Sequence, residues 1–279
     1  MFHVEKMAAD DFPFAIQLTD TVNWNMTEED FRLMIELEPD GCFILCDDSE
    51  KIGVATSVSF GKVGWFGNLI VHEDYRKRGA GTLLVKHAIR YLKSRNVETI
   101  GLYAYPWLLR FYGDLGFERD EDFVVLRGKG FSSDRRSYLK EASKENMEAV
   151  VGFDSRCFGA SRRKLLKHIL FNADNLSYVS GDNGTIAGYL AAKVYGGMAE
   201  VGPAVCSQAR DDIAVALLRA VLDRLEGFEI FMCVPRRDAV VLDMLFKGGF
   251  REDFRVVRMF SGPAIARGCF YIAESLERG

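Results

Sequence analysis

The stretch from Asn68 to Leu92, NLIVHEDYRKRGAGTLLVKHAIRYL, decides the fold of this 279-residue chain. Leu69-Ile70-Val71 reads as the end of a buried strand, and His72 to Arg78 as a polar, charged loop. From Gly79 onward the non-polar positions are 81, 84, 85, 88, 89 and 92, the spacing of one helix face. The unit is therefore strand, glycine loop, helix. Gly79 and Gly81 stand where the helix begins, and a helix N-terminus presents unpaired N–H groups and a partial positive charge. Without side chains there, an anion can approach the backbone closely, and Arg76, Lys77 and Arg78 add positive charge beside it. The stretch reads as a phosphate cradle.

Elimination narrows the phosphate. A nucleoside-triphosphate loop needs a lysine after its last glycine, whereas Gly81 is followed by Thr82-Leu83. A dinucleotide fingerprint needs a third glycine where Leu84 stands, although Glu98 imitates its ribose-binding acid. The run Arg76-Lys77-Arg78-Gly79-Ala80-Gly81, with Leu69-Ile70-Val71 before it, resembles the R/Q-x-x-G-x-G/A motif of the GNAT superfamily of acyl-CoA-dependent N-acetyltransferases. The resemblance implies that this loop, from Arg76 to Thr82, holds the pyrophosphate of acetyl-CoA. The bland alternative is an ordinary strand-to-helix turn.

Pro106 to Phe117, PWLLRFYGDLGF, resembles the second local motif of that family, a short helix ending in tyrosine and then Gly-Phe. Tyr112, Leu115, Gly116 and Phe117 match it, while Tyr105 and Leu108 replace the family's frequent asparagine and small residue. The resemblance makes Tyr112 the proton donor to the departing thiolate. The bland alternative for Tyr112 is a core aromatic at a helix end. In the family the loop between the first two helices borders the acceptor pocket, which makes Trp24 and Asn25 candidate substrate contacts.

A hydrophobic fraction of 48% supports genuine cores, and the length suits two ordinary domains. A net charge of −4 gives no basic field for nucleic acid. No apolar run approaches the ~20 residues of a membrane span, and the start, Met1 to Lys6, lacks a signal-peptide pattern. The six cysteines are scattered without C-x-x-C spacing and read as buried thiols in a reducing, cytoplasmic setting. The four histidines form no H-x-x-H cluster, so no metal is expected.

Patterning along the chain predicts a strand at 2–6, helices at 10–21 and 28–37, a hairpin at 42–60, a central strand at 63–71, a strand at 97–104 and another near 123–127. Gly128 to Ser137 reads as a linker. Adding 133 to the helix face gives Ala214, Leu217, Leu218, Val221, Leu222 and Leu225, all apolar, and carries Gly116-Phe117 onto Gly249-Phe250. A second hairpin turn falls at Gly181-Asp182-Asn183-Gly184. The expected fold class is thus α/β (α+β): two tandem GNAT-like domains, 1–130 and 138–279, each a mixed, mostly antiparallel twisted sheet flanked by helices. Functional residues are lost at the same offset. Arg76 becomes Ala209, Gly79 Asp212, Gly81 Ala214 and Tyr112 Leu245, and an aspartate pair at Asp211-Asp212 repels an anion. The second copy resembles the degenerate C-terminal domain of two-domain GNAT proteins.

Acyl transfer to an amine needs a polarised thioester carbonyl, a neutral amine and a protonated leaving group. The resemblance supplies a backbone N–H near Val71 for the first and Tyr112 for the third. A lysine-like amine, with pKa about 10.4, is neutral only about once in 2,500 molecules at pH 7. It therefore gains from a base, and the strand 63–71 holds no carboxylate. Glu73 and Asp74 are expected to pair with Arg76 or Arg78, leaving Asp20, Glu28 and Glu29 as other options. The expected function is acetyl-CoA-dependent N-acetylation of a small-molecule or peptide amine, with no nucleic-acid or membrane partner and a homo-oligomer left open. A non-catalytic acyl-CoA sensor is the alternative, and a nucleotide-binding module the third reading.

Overall fold

The computed structural model describes residues 1–132, 139–182, 185–263, 265 and 268–279. The first half runs β1 (Phe2–Lys6), α1 (Phe12–Asp20), α2 (Glu28–Leu37), β2 (Cys42–Asp47), β3 (Glu50–Ser59), β4 (Val63–Val71), α3 (Ala80–Ser94), β5 (Thr99–Ala104), α4 (Leu109–Gly113) and β6 (Glu118–Lys129). The second runs β7 (Lys140–Glu141), α5 (Met147–Phe158), α6 (Arg163–Leu170), β8 (Leu176–Asp182), β9 (Thr185–Tyr195), β10 (Met198–Ser207), α7 (Asp211–Arg224), β11 (Glu229–Pro235), α8 (Ala239–Lys247), β12 (Arg251–Ser261) and β13 (Cys269–Ile272).

Local signals explain several boundaries. Pro13 sits in the first turn of α1, where a missing N–H costs nothing. Thr27 and Asp30 form a reciprocal capping box at the start of α2. Gly116 and Gly249 both take positive φ, +89° and +90°, and the N–H groups of Phe117 and Phe250 then bond back to the carbonyls of Tyr112 and Leu245. The inferred repeat thus makes the same Gly-Phe turn at both helix ends.

The two halves share one 13-stranded sheet, in the order β1-β2-β3-β4-β5-β12-β6-β11-β10-β9-β8-β7, with β13 paired to β10. The last strands of the halves are exchanged. β12 pairs antiparallel with β5, and β6 pairs antiparallel with β11, while β6 and β12 run side by side at the centre. Packing follows the exchange. Val257 and Met259 of β12 complete the core beneath α3, and Val124 and Leu126 of β6 complete the core beneath α7 and α8. On the opposite face α1, α2, α5 and α6 bury a single cluster against both halves, including Phe31, Trp65, Val150, Leu165 and Tyr189.

Three expectations need correction. The linker starts later than Gly128, because β6 continues to Lys129 and the Gly130 N–H bonds to the Phe228 carbonyl. Its remainder, 133–137, lies outside the described residues, as do Asn183 and Gly184 of the second hairpin turn. The buried stripe of α3 begins at Ala80, with Leu84, Val85, Ala88 and Leu92. Gly81 is only half-buried, at the open start of the helix. Cys42, Cys46, Cys206 and Cys233 are buried free thiols, but Cys157 and Cys269 are disulfide-bonded, tying α5 to β13. A sequence separation of 112 hid that pair.

An ion cluster joins the halves on the shared face. Glu38 is 4% exposed and accepts from Lys164 Nζ at 2.7 Å, from the Tyr91 hydroxyl at 2.5 Å and from the Ser59 N–H at 3.0 Å. Burial pushes its carboxyl up, but the hydrogen bonds from Lys164, Tyr91 and Ser59 outweigh it and leave the pKa below the ordinary 4.5. A depressed carboxylate contributes stability above its unfolded pKa, and that contribution is lost as pH falls through the folded value. Glu38→Gln should therefore cost about 1–3 kcal/mol at pH 7, reduced from a fully buried pair by the solvent around Lys164. The deficit relative to wild type should vanish well below pH 4.5 in acid-titrated unfolding curves.

Candidate functional site

The parallel pairing of β4 with β5 lasts only three residues, Val63↔Thr99 to Trp65↔Gly101. Beyond Trp65 the strands diverge, and β4 is irregular against β3 between Gly67 and Ile70, with Asn68 at φ +51°. This splay leaves the β5-facing backbone of β4 from Gly67 to Val71 without a strand partner on that side. Ile70 and Val71 are buried and Leu69 is half-buried, so the opening is walled by apolar side chains.

The chain then turns through Lys77 (φ +60°) and Gly79 (φ +85°) into α3. The first intrahelical bond is Leu83 N–H to the Gly79 carbonyl, which leaves the N–H groups of Ala80, Gly81 and Thr82 ahead of it without intrahelical acceptors. No side chain caps this end, and no acid lies in its first turn. A Cβ on Gly79 would meet nothing within 4 Å, and one on Gly81 would meet only Phe111 Cζ at 3.6 Å. The space outside the helix end is thus open to a ligand, and the residues present fit a pyrophosphate. The three cations do not act alike. Arg76 Nε donates to the Val71 carbonyl at 2.8 Å and fixes the end of β4, whereas the Arg78 guanidinium lies over the Phe2 and Tyr75 rings. Lys77 is exposed at the rim.

Glu73 and Asp74 do not pair with Arg76 or Arg78, contrary to expectation. Both acids are exposed, and Asp74 lies 3.6 Å from His72 Nδ1. The arginines are drawn to a backbone carbonyl and to aromatic faces instead.

Tyr112, 5% exposed, packs in the core beneath α3 between Phe111 and Phe117. Burial pushes its phenol above the ordinary 10.0, so it stays protonated throughout the neutral range. Leu245 occupies the matching place in the second half and is equally buried, so the repeat separates the packing role of the ring from the hydroxyl. Across the splay, Trp24 Nε1 donates to the Tyr105 hydroxyl at 3.3 Å, which fastens the α1–α2 loop to the end of β5. Tyr105 in turn stacks on the exposed ring of Trp107, with centroids 4.6 Å apart. Asn25 is exposed, and its amide is turned back onto the Asn23 carbonyl. Glu28 pairs with Arg32, while Asp20 and Glu29 are exposed.

The second helix of the same type inverts the electrostatics. α7 opens with Asp211 and Asp212 in its first turn, and Arg210 is held by Asp212 at 2.8 Å. One half offers bare N–H groups and the other two carboxylates. Sequence reasoning missed a different group, His3, Glu5 and Cys46, whose ligand atoms lie within 4.8 Å of one another. The His3–Cys46 pairing that assembles it is a cross-strand contact between β1 and β2.

Comparison with known proteins finds a GNAT domain in each half. Residues 5–117 match the family described as "Acetyltransferase (GNAT) family", and residues 150–268 match the "Acetyltransferase (GNAT) domain". The chain belongs to the GNAT family and carries two GNAT domains in tandem. An uncharacterised N-acetyltransferase, ycf52, of Gracilaria tenuistipitata var. liui is 37% identical over 71 residues, or 25% of this chain and 38% of that protein. The match to the Pyropia yezoensis ycf52 protein spans 45% of that protein, at 31% identity over 28% of this chain, so in both cases the chain spans less than half the relative's length. The holothin acyltransferase of Pseudoalteromonas sp. is 23% identical over 92% of this chain and 87% of its own length. Among solved structures, a candidate acetyltransferase from Pyrococcus horikoshii superposes with a TM-score of 0.82 at 20% identity, covering 100% of this chain and 96% of that one. A tandem GNAT protein from the clavulanic acid biosynthesis pathway gives 0.64 at 14% identity, over 95% and 100%. These two structural likenesses speak to the fold alone. No helix among the described residues is long and apolar enough to cross a membrane.

The open space at Gly81 sets a clean test. Its backbone is helical and a Cβ is tolerated, so Gly81→Leu should leave the melting temperature unchanged or raised. Its side chain should project into the cradle and weaken acetyl-CoA binding at least tenfold in a calorimetric titration. A folded variant with unaltered affinity would remove the loop from the coenzyme site.

Proposed function

We propose that the chain is an acetyl-CoA-dependent N-acetyltransferase acting on a primary amine of a small molecule or peptide, with its coenzyme site in the first half. The observation that carries this is the contrast between equivalent positions. The end of α3 is uncapped, acid-free and open, whereas α7 begins with two aspartates. In this reading 1–130 is the acetyltransferase domain and 138–279 a degenerate partner that shapes the acceptor side. A cytoplasmic setting is carried by the four buried free thiols, while the Cys157–Cys269 bond is the feature that points to an oxidising compartment.

The N–H groups of Ala80, Gly81 and Thr82, with Lys77 at the rim, would hold the pyrophosphate. The apolar edge Leu69-Ile70-Val71 would guide the thioester into the splay, where backbone N–H groups of β4 polarise its carbonyl. Bound acetyl-CoA supplies the activated acyl group. Tyr112 gives its phenolic proton to the sulfur as the C–S bond breaks. Burial raises the pKa of the phenol, and it raises that of a thiol in the same apolar surroundings as well, so the gap between donor and acceptor is not widened by burial alone. Trp24 and Tyr105 form an aromatic wall on the acceptor side, with Asn25 at its rim. The curated relative spanning most of the chain is named for acyl transfer, which favours catalysis over sensing.

The direct test is a screen of primary amines for acetyl-CoA-dependent release of free thiol. With the best acceptor, Tyr112→Phe should lower kcat about 10²-fold or more while leaving the acetyl-CoA dissociation constant within twofold, because only the hydroxyl is lost. An unchanged kcat across the accessible pH range would make Tyr112 a core aromatic, as Leu245 is.

A further inference from the structure

The splayed half of β4 carries no carboxylate of its own, yet one is delivered to it from the far end of the chain. After β13 the backbone crosses the shared face of the sheet and lays residues 274–279 against the first half. Trp65 Nε1 donates to the Leu276 carbonyl at 3.1 Å. At Gly67, the first position facing this side beyond the last β4–β5 pair, a Cβ would stand only 2.5 Å from Glu277 Cβ. Gly67 must therefore be glycine for the segment to seat. Glu277 then occupies the space that a side chain projecting from that position of β4 would fill, on the face opposite α3.

The rest of the segment is anchored by charge. Glu274 is fully buried and accepts from Lys193 Nζ at 2.5 Å and from Arg278 Nε at 2.8 Å. Lys193 also meets Glu200 at 2.6 Å. Arg162, buried beside Asp154, donates to the Gly279 carbonyl at 2.7 Å. Glu277 differs from Glu274. Its one ionic partner among the described residues is Arg278, at 2.8 Å to Oε1, and its side chain is 17% exposed. It thus combines a backbone seated against Gly67, one tethered oxygen and a side chain partly open to solvent.

We infer that Glu277 is the proton acceptor for the incoming amine, contributed by the second domain to the active site of the first. This rests on the acyl-transfer reading above. The ammonium gives one proton to Glu277, directly or through a water. The freed lone pair forms the C–N bond, and the C–S bond breaks with its electron pair on sulfur. Sulfur takes the Tyr112 proton, the second proton of the nitrogen replaces it on the phenol, and the proton held by Glu277 passes to solvent. The charged groups around Glu277 are Arg278 and Glu274 on its own segment, Lys193 on β9 and Glu200 on β10.

Glu277→Gln keeps the shape and removes the base. With the alkylamine chosen by the screen, its kcat/KM at pH 7 should fall about 10²-fold, and the deficit should shrink as pH rises towards the amine's own pKa. With hydroxylamine, already neutral at pH 7, turnover above the enzyme-free rate should stay within about threefold of wild type. Acetyl-CoA affinity by calorimetry should not change. Gly67→Ala, which meets the Glu277 backbone, should reproduce the split between the two nucleophiles. Equal losses with both nucleophiles, or no loss with the alkylamine, would overturn the assignment while leaving acyl transfer intact. A wild-type chain that binds acetyl-CoA but transfers to no amine would overturn both.

Discussion

The exchange of β6 and β12 is the constraint on which the rest of the molecule depends. Each half supplies the strand that completes the other's sheet, so Val257 and Met259 pack beneath the cradle helix although they belong to the second copy. The hydrogen bonds of β5 on that side are made to β12 and to nothing in the first half. A chain cut between the copies would expose the edge of β5 and one face of both cores, surfaces that proteins do not leave open in water. The second copy is therefore retained for folding whether or not it binds anything. Once retained, it sends β13 and the segment after it across the sheet to β4.

That arrangement separates what packing demands from what chemistry demands. Packing is shared: Gly116-Phe117 and Gly249-Phe250 make the same turn, and the buried positions Ala80, Leu84, Val85, Ala88 and Leu92 have buried counterparts in Ile213, Leu217, Leu218, Val221 and Leu225. Electrostatics is not. The end of α3 presents bare N–H groups, worth about 0.3–2 kcal/mol to an anion, and the matching end of α7 cancels that attraction with two carboxylates. A buried phenol faces a buried leucine in the same way.

Much of this was legible in the sequence because it is local. Helix periodicity, the capping box at Thr27, the strand-loop-helix at Asn68 to Leu92 and the 133-residue offset depend on neighbours or on a repeat, and both are visible in one dimension. The features that escaped are pairings over long separations. The Cys157–Cys269 bond, the Lys164–Glu38 bridge and the Trp65–Leu276 hydrogen bond span 112, 126 and 211 residues. The absence of a carboxylate from β4 is plain in the sequence, but nothing near Gly67 marks it as a seat for Glu277. Among the local readings, assigning Gly81 to the buried face came from counting a glycine as apolar at a helix start.

Two copies of one fold share a sheet, and the proposed coenzyme site lies only at the uncapped helix end. Calorimetric titration of the intact chain with acetyl-CoA measures this directly. The stoichiometry should be one per chain, with no second heat at higher concentration. Two equivalent sites, or none, would contradict it.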